Sequence, residues 1–150
     1  MKTSDITWHN RFMDIAKQVA TWSKDPSTKV GAIIVDDKNR IVSTGYNGAL
    51  PYIDDEFALE SKENKYLFTV HAEQNAVMSA IKGKLDLSNC RIYVTNSCCK
   101  ECAKMIAHSG IISTVITLKD EDGTFRERWN SGQADELFKH CDIKQIQLEF

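Results

Sequence analysis

Apolar positions in the first part of the chain recur three and four residues apart. In "TWHNRFMDIAKQVATWS" (residues 7–23), Trp8, Phe12, Ile15, Ala16, Val19 and Ala20 share one stripe. That spacing predicts a helix with one apolar face, and Thr7 is placed to cap it. "KDPST" breaks the pattern. The period then changes. "VGAIIVD" (30–36) and "RIVSTGYN" (40–47) are β-rich runs separated by "DKN", which predicts a β-hairpin. "GALPYIDDEFALESKENKY" (48–66) is a long polar connection, part of it expected to be helical. Connections of this length in compact domains are often functional.

Helical spacing returns in "HAEQNAVMSAIKG" (71–83), which should end at Gly83 and bury Ala76, Val77, Ala80 and Ile81. The remaining pattern predicts a strand at 90–96, a helix at 99–110 stopped by Gly110, and a strand at 111–118. A loop at 120–132, a short helix at 133–141 and a last strand at 143–150 follow. No repeat, low-complexity tract or linker interrupts the order α-β-β-α-β-α-β-α-β. Helices join the last three strands as crossovers, so those strands should be mutually parallel, whereas the opening hairpin is antiparallel. The expected architecture is α/β. It is a three-layer α/β/α sandwich around a mixed five-stranded sheet, in one domain over residues 1–150.

Composition narrows the class. Apolar residues make up 42% and charged residues 27%, and 19 Lys and Arg against 21 Asp and Glu leave a net charge of −2. No basic block marks a long nucleic acid as the partner. No run reaches the ~20 apolar residues that span a bilayer, and the first residues carry no apolar signal segment, so a cytoplasmic protein is expected. The five cysteines are an odd number. In a reducing compartment, clustered cysteines point to metal or catalysis rather than to a disulfide framework.

The cluster is "TNSCCKECAKMIAHSG". Cys99 and Cys102 are three apart at a helix start, so both sulfurs reach one side of the helix, where the free N–H groups favour thiolates. Two thiolates do not complete a zinc site, and a third ligand stands 28 residues earlier in "VHAEQNA". There His71 begins another helix, with Glu73 two residues on. Three protein ligands with a fourth position open describe a catalytic zinc. A carboxylate that is not a ligand, here Glu73, can shuttle protons from a water whose pKa zinc lowers to about 7. H-x-E followed by C-x-x-C is the signature of zinc nucleobase deaminases. Cys98 stands where that signature has proline. It either fills the proline site or competes for the metal. Cys90 and Cys141 are expected to be structural thiols, and His9, His108 and His140 solvated or packed.

Most of the chain resembles the deoxycytidylate (dCMP) deaminase branch of the cytidine deaminase superfamily. The resemblance is carried by "WHNRFMDIA", "SKDPSTKVGAIIV", "IVSTGYNG", "YLFTVHAEQNAV" and "IYVTNSCCKECAKMIAHSGI". It implies the cytidine deaminase-like fold, with zinc held by His71, Cys99 and Cys102 and with Glu73 as proton shuttle. Asn47 would contact the substrate sugar, and the Ala72 backbone N–H would contact the pyrimidine carbonyl. The implied reaction is hydrolytic deamination of dCMP to dUMP with release of ammonia. The implied assembly is a homo-oligomer, a hexamer or dimer. Regulated relatives carry Gly-x-Pro-x-Gly where this chain has "GALPYIDDE", so control by nucleoside triphosphates is not carried over. That insert has no Cys or His for a second zinc. Lys29, Lys65, Arg126 and Arg128 are candidate phosphate contacts. Other readings stay open. They are a deaminase of another cytosine species (dCTP, a modified dCMP, a free base or nucleoside), one acting on adenosine in transfer RNA, or a non-catalytic zinc-stabilised binding protein.

Overall fold

The computed structural model describes residues 3–110 and 112–149. Helix α1 (Thr3–Ala20) leads into the hairpin β1 (Gly31–Val35) and β2 (Ile41–Tyr46). The connection after it carries β3 (Gly48–Ala49), α2 (Asp55–Ala58), α3 (Lys62–Phe68) and β4 (Thr69–Val70). Then come α4 (Ala72–Lys82), β5 (Cys90–Val94), α5 (Lys100–His108) and β6 (Ile112–Leu118). Two helices, α6 (Thr124–Arg128) and α7 (Ser131–His140), precede β7 (Lys144–Leu148). Ile111 and Phe150, the outer ends of two predicted strands, lie outside the described residues.

The sheet is five-stranded, in the order β2-β1-β5-β6-β7. β1 pairs antiparallel with β2 and with β5, whereas β5–β6 and β6–β7 are parallel. This is the expected mixed sheet with its last three strands parallel. β1 lies between two neighbours and is buried along its whole length, which is why it reads as an uninterrupted apolar run. Its alternate residues serve opposite layers. Ala32 and Ile34 pack with α4, α5 and α7, while Ile33 and Val35 pack with Phe12, Met13, Ala16 and Val19 of α1. Each fully buried Ile or Val contributes about 1.5–3 kcal/mol relative to exposure.

Local signals define most of the boundaries. Asp36 accepts the N–H groups of Lys38 and Arg40 at 2.9 Å, and Asn39 takes φ 59°, closing the hairpin over the predicted turn. Asp54 and Ser61 cap α2 and α3 by accepting from Glu56 and Asn64.

Four expectations are corrected. Helix α1 begins at Thr3, so Thr7 lies inside it and is not a cap. Phe12, Ala16, Val19 and Ala20 are buried as expected, but one edge of the face shifts from Trp8 and Ile15 to His9 and Met13. Trp8 and Ile15 are 37% and 39% exposed, whereas His9 and Met13 are buried, because His9 finds the Tyr93 hydroxyl at 2.7 Å beneath the helix. Ile81 of α4 is likewise half exposed, since α4 turns its 72-73-76-77-80 face inward. The stretch read as a loop at 120–132 contains α6 and the start of α7. Asp122 accepts from the backbone and hydroxyl of Thr124, Gly123 takes φ 73°, and Asp120 accepts the Arg126 N–H.

Candidate functional site

The starts of α4 and α5 meet beside the end of β5. Two close approaches hold α4 there. A Cβ on Gly45 of β2 would lie 2.4 Å from both the Ala72 carbonyl oxygen and the Ala76 nitrogen, so only glycine lets helix and strand touch. The Ser43 hydroxyl donates to the Ala76 carbonyl at 2.7 Å. His71 is the residue just before α4, in extended backbone, and its N–H donates to Gln74 Oε1 at 2.8 Å. Cys99 holds the corresponding place before α5. Its sulfur accepts the Cys102 N–H at 3.4 Å, so this thiol caps its own helix.

These two caps bring the predicted ligands together. His71 Nδ1 lies 3.3 Å from Cys102 Sγ and 3.5 Å from Cys99 Sγ, and the three ligand atoms all fall within 4.8 Å of one another. Tetrahedral zinc with one nitrogen and two sulfur ligands has ligand-to-ligand edges of about 3.6–3.8 Å. One imidazole and two thiols at this spacing fit zinc in both donor type and size. Cys98 is buried one residue away and stands outside the group.

The electrostatics follow from the same contacts. Hydrogen bonding from Cys102, then from His71, brings the Cys99 thiol down to about 4, a thiolate at neutral pH. Cys102 moves the other way, because it donates to Cys99 and is buried beside that negative charge. The Cys99 bond also raises His71. Glu73 is 4% exposed, and burial pushes its carboxyl up from the ordinary range. Cys98 is raised well above the usual thiol range, first by burial and then by the Glu73 charge. Its thiol stays protonated and donates to the Glu73 carboxyl.

A pocket opens onto this cluster, lined by His71, Ala72, Glu73 and Cys99 on one side and by Asn47 on another. Asn47 stands where the resemblance expects it, but its amide is already engaged. Its Oδ1 accepts the Val30 N–H at 2.8 Å, and its Nδ2 donates to the Thr28 carbonyl at 2.9 Å. It pins the loop before β1 to the loop after β2. Asp25 anchors that loop further. Its carboxylate accepts from the backbone of Ser27 and Thr28 and sits 2.7 Å from Lys65 Nζ. Burial raises Asp25, but the Lys65 and backbone hydrogen bonds outweigh it, leaving the carboxyl below its usual range.

Of the four candidate cations, Lys65 and Arg128 line the pocket, whereas Lys29 and Arg126 do not. Several pocket residues went unrecognised in the sequence: Tyr66, Phe125, Trp129, Asn96 and Ser97. Trp129 stands edge-on to the His71 ring, with centroids 5.4 Å apart and planes at 83°. The "DGT" cap could have revealed α6, but no local signal says that its far end folds over His71.

Residues 6–119 match the family model for the cytidine and deoxycytidylate deaminase zinc-binding region. Over 122 residues the chain is 44% identical to a protein of Aliivibrio fischeri named "uncharacterized deaminase in luxG 3′ region", covering 81% of this chain and 79% of that one. It is 40% identical over 122 residues to the deoxycytidylate deaminase of Mus musculus, covering 77% of this chain and 67% of that one. The chain spans 61–67% of the length of the animal relatives it matches. The crystal structure of dCMP deaminase from the cyanophage S-TIM5 in apo form superposes with a TM-score of 0.74 at 25% identity, over 99% of this chain and 100% of that one. The matched region takes in both helix starts, and on that ground the chain belongs to the cytidine and deoxycytidylate deaminase zinc-binding family.

Proposed function

We propose that this chain catalyses the zinc-dependent hydrolytic deamination of dCMP to dUMP, with release of ammonia. The observation that carries the reading is a buried carboxyl, Glu73, in the same pocket as the His71–Cys99–Cys102 group. A structural zinc site has no use for such a carboxyl. The mouse and phage relatives that bear the dCMP deaminase name support the substrate.

His71, Cys99 and Cys102 would hold the metal, which when bound supplies Lewis-acid activation of a water. Glu73 takes a proton from that water and delivers it to N3 of the pyrimidine as C4 is attacked. It then carries a proton to the departing amine, so that water and the C4 amine become a carbonyl and ammonia. A carboxyl whose affinity for protons is raised by burial is suited to both holding and returning them. The Ala72 N–H is unpaired within its helix, being in the first turn, and would orient the pyrimidine carbonyl. Phe125 and Trp129 wall the pocket with aromatic surface and limit the entry of bulk water. Asn47 shapes the wall and keeps one Oδ1 lone pair for a sugar hydroxyl.

Ammonia release by zinc-loaded protein, assayed across dCMP, dCTP, deoxycytidine and cytosine, tests the reading. Turnover greatest with dCMP supports it, and no ammonia from any of the four sinks it. We propose further that residues 1–150 act as one deaminase domain and work in the cytoplasm. The five cysteines are free, and the metal group needs its thiols reduced, which suits a reducing compartment. No described helix is long and apolar enough to cross a membrane. A homo-oligomer, hexamer or dimer, is the expected assembly. Trp22, Tyr52 and Leu67 are 52%, 97% and 71% exposed, which suits a subunit surface. A monomeric mass by light scattering at micromolar concentration would remove that part.

A further inference from the structure

The four candidate cations differ in what they already hold. Lys29 gives Nζ to the Ser23 carbonyl at 2.7 Å. Lys65 is 2.7 Å from Asp25 and 3.2 Å from the Ser27 hydroxyl, with its side chain 22% exposed. Its charge is matched, and releasing it would strand the buried Asp25. Arg126 donates to the Ser97 hydroxyl at 3.0 Å and pairs with Asp135. Arg128 differs from all three. It lines the pocket, and among the described residues no carboxylate lies within 4.0 Å of it.

Arg128 is nonetheless held in place. Its Nη2 donates to the Tyr66 hydroxyl at 2.9 Å, a contact across 62 residues that ties the end of α6 to α3. Its guanidinium lies over the Trp129 ring, 5.4 Å from the centroid. The same indole meets the His71 ring edge-on at 5.4 Å. The guanidinium therefore stands one aromatic ring away from the metal ligands. Among the described residues, one of its five N–H donors is used. A positioned guanidinium with free donors and no counter-charge suits a planar or tetrahedral oxyanion bound through two donors at once. Base and sugar of a nucleotide carry no such group, and the phosphate does.

We propose that Arg128, braced by Tyr66 and Trp129, binds the 5′-phosphate of the substrate and so sets the preference for a nucleotide over the corresponding nucleoside. This rests on the deaminase reading of the pocket and names the part of the substrate that reading leaves without a partner. Neither Tyr66 nor Trp129 needs a charge for its task. Tyr66 fixes the guanidinium by accepting a hydrogen bond, and Trp129 supplies a flat face for it.

The test compares kcat/KM for dCMP and for deoxycytidine in the wild type, Arg128→Gln, Arg128→Lys and Tyr66→Phe. In Arg128→Gln the preference for dCMP should fall about tenfold to a hundredfold, the scale of a lost charge-assisted hydrogen bond, and mainly through KM. Arg128→Lys should fall less, since charge remains and the two-pronged geometry is lost. Tyr66→Phe should fall least. Inorganic phosphate should compete with dCMP in the wild type and compete more weakly in Arg128→Gln. If Arg128→Gln proves poorly folded, Arg128→Lys and the phosphate competition carry the comparison. An active wild type whose preference is unchanged in both Arg128 variants overturns this inference and leaves the deaminase reading standing. A wild type that releases ammonia from neither substrate overturns the deaminase reading, and this inference with it.

Discussion

Glu73 and His71 are two residues apart and take unlike tasks because the chain turns into a helix between them. His71 is the extended residue before α4, whereas Glu73 is already in its first turn and buried. Glutamine at 73 keeps the shape and cannot take or return a proton. Since general acid–base catalysis is typically worth about 10²–10⁴-fold and Glu73 serves several transfers, Glu73→Gln should lose at least about 10³-fold in turnover. It should keep its zinc and its melting temperature, and turnover near wild type would take Glu73 out of the mechanism. The thiols divide in the same way. Cys102→Ala should lose zinc and stability, since bound metal adds folding free energy. Cys98→Pro should retain zinc and turnover. Elemental analysis of both variants checks the register, and zinc lost from the Cys98 variant alone would reverse it. On the opposite face of the sheet, Arg91 Nε donates to the Tyr93 oxygen at 3.1 Å, so the Tyr93 O–H is free to donate to His9 Nδ1 at 2.7 Å. That arrangement needs neutral His9. Burial first, then the Arg91 charge, with Lys144 also opposing and Asp5 favouring protonation, lowers its pKa below the ordinary 6.5. The unfolded chain therefore takes up the proton first as pH falls. His9 contributes stability that is complete above about pH 6.5 and declines below it until the lower folded value is passed. Unfolding free energies at pH 7.5 and 5.5 should differ more for the wild type than for His9→Asn, and equal differences would exclude His9 as the source.

Helix α4 depends on a strand for its position. Gly45 is needed for a close approach, since any Cβ there would overlap backbone atoms of Ala72 and Ala76. Backbone cannot swing aside as a side chain can, so Gly45→Ala should push α4 off β2 and displace His71 and Glu73 with it. Overpacking typically costs about 1–3 kcal/mol, and more where the clash is with backbone. A lower melting temperature together with weaker zinc retention is expected, and an unchanged value for both would deny the coupling. Helix α6 shows what local pattern misses. Five residues, with no buried side chain of their own, are too short to display a period. They are held by Asp120, Asp122 and the Arg126–Asp135 pair, contacts that a hydropathy pattern does not register. The insert bearing α2 and α3 is similar. Its attachments include Lys24–Asp55, Lys65–Asp25 and Arg128–Tyr66.

Taken as one object, the protein is a sheet in which β1 runs against the other four strands, with the pocket at the carboxyl ends of β2 and β5. Ligand sites in open α/β sheets favour such places. The periods of 2 and 3.6 revealed strands and helices with nearly correct bounds, because burial on one or two faces leaves a regular trace in the residues. The crossover helices implied three parallel strands, since chain connectivity permits little else. H-x-E and C-x-x-C were legible because their geometry is local, two and three residues at a helix start. The fold then had to bring His71 across 28 residues to Cys99, and spacing alone cannot state that contact. It also set one edge of the buried face of α1, through the hydrogen bond that Tyr93 offers His9. Trp129, Phe125, Tyr66 and Arg128 became one pocket wall only after folding. Their meeting depends on packing between elements distant along the chain, and such contacts leave no period in a single sequence.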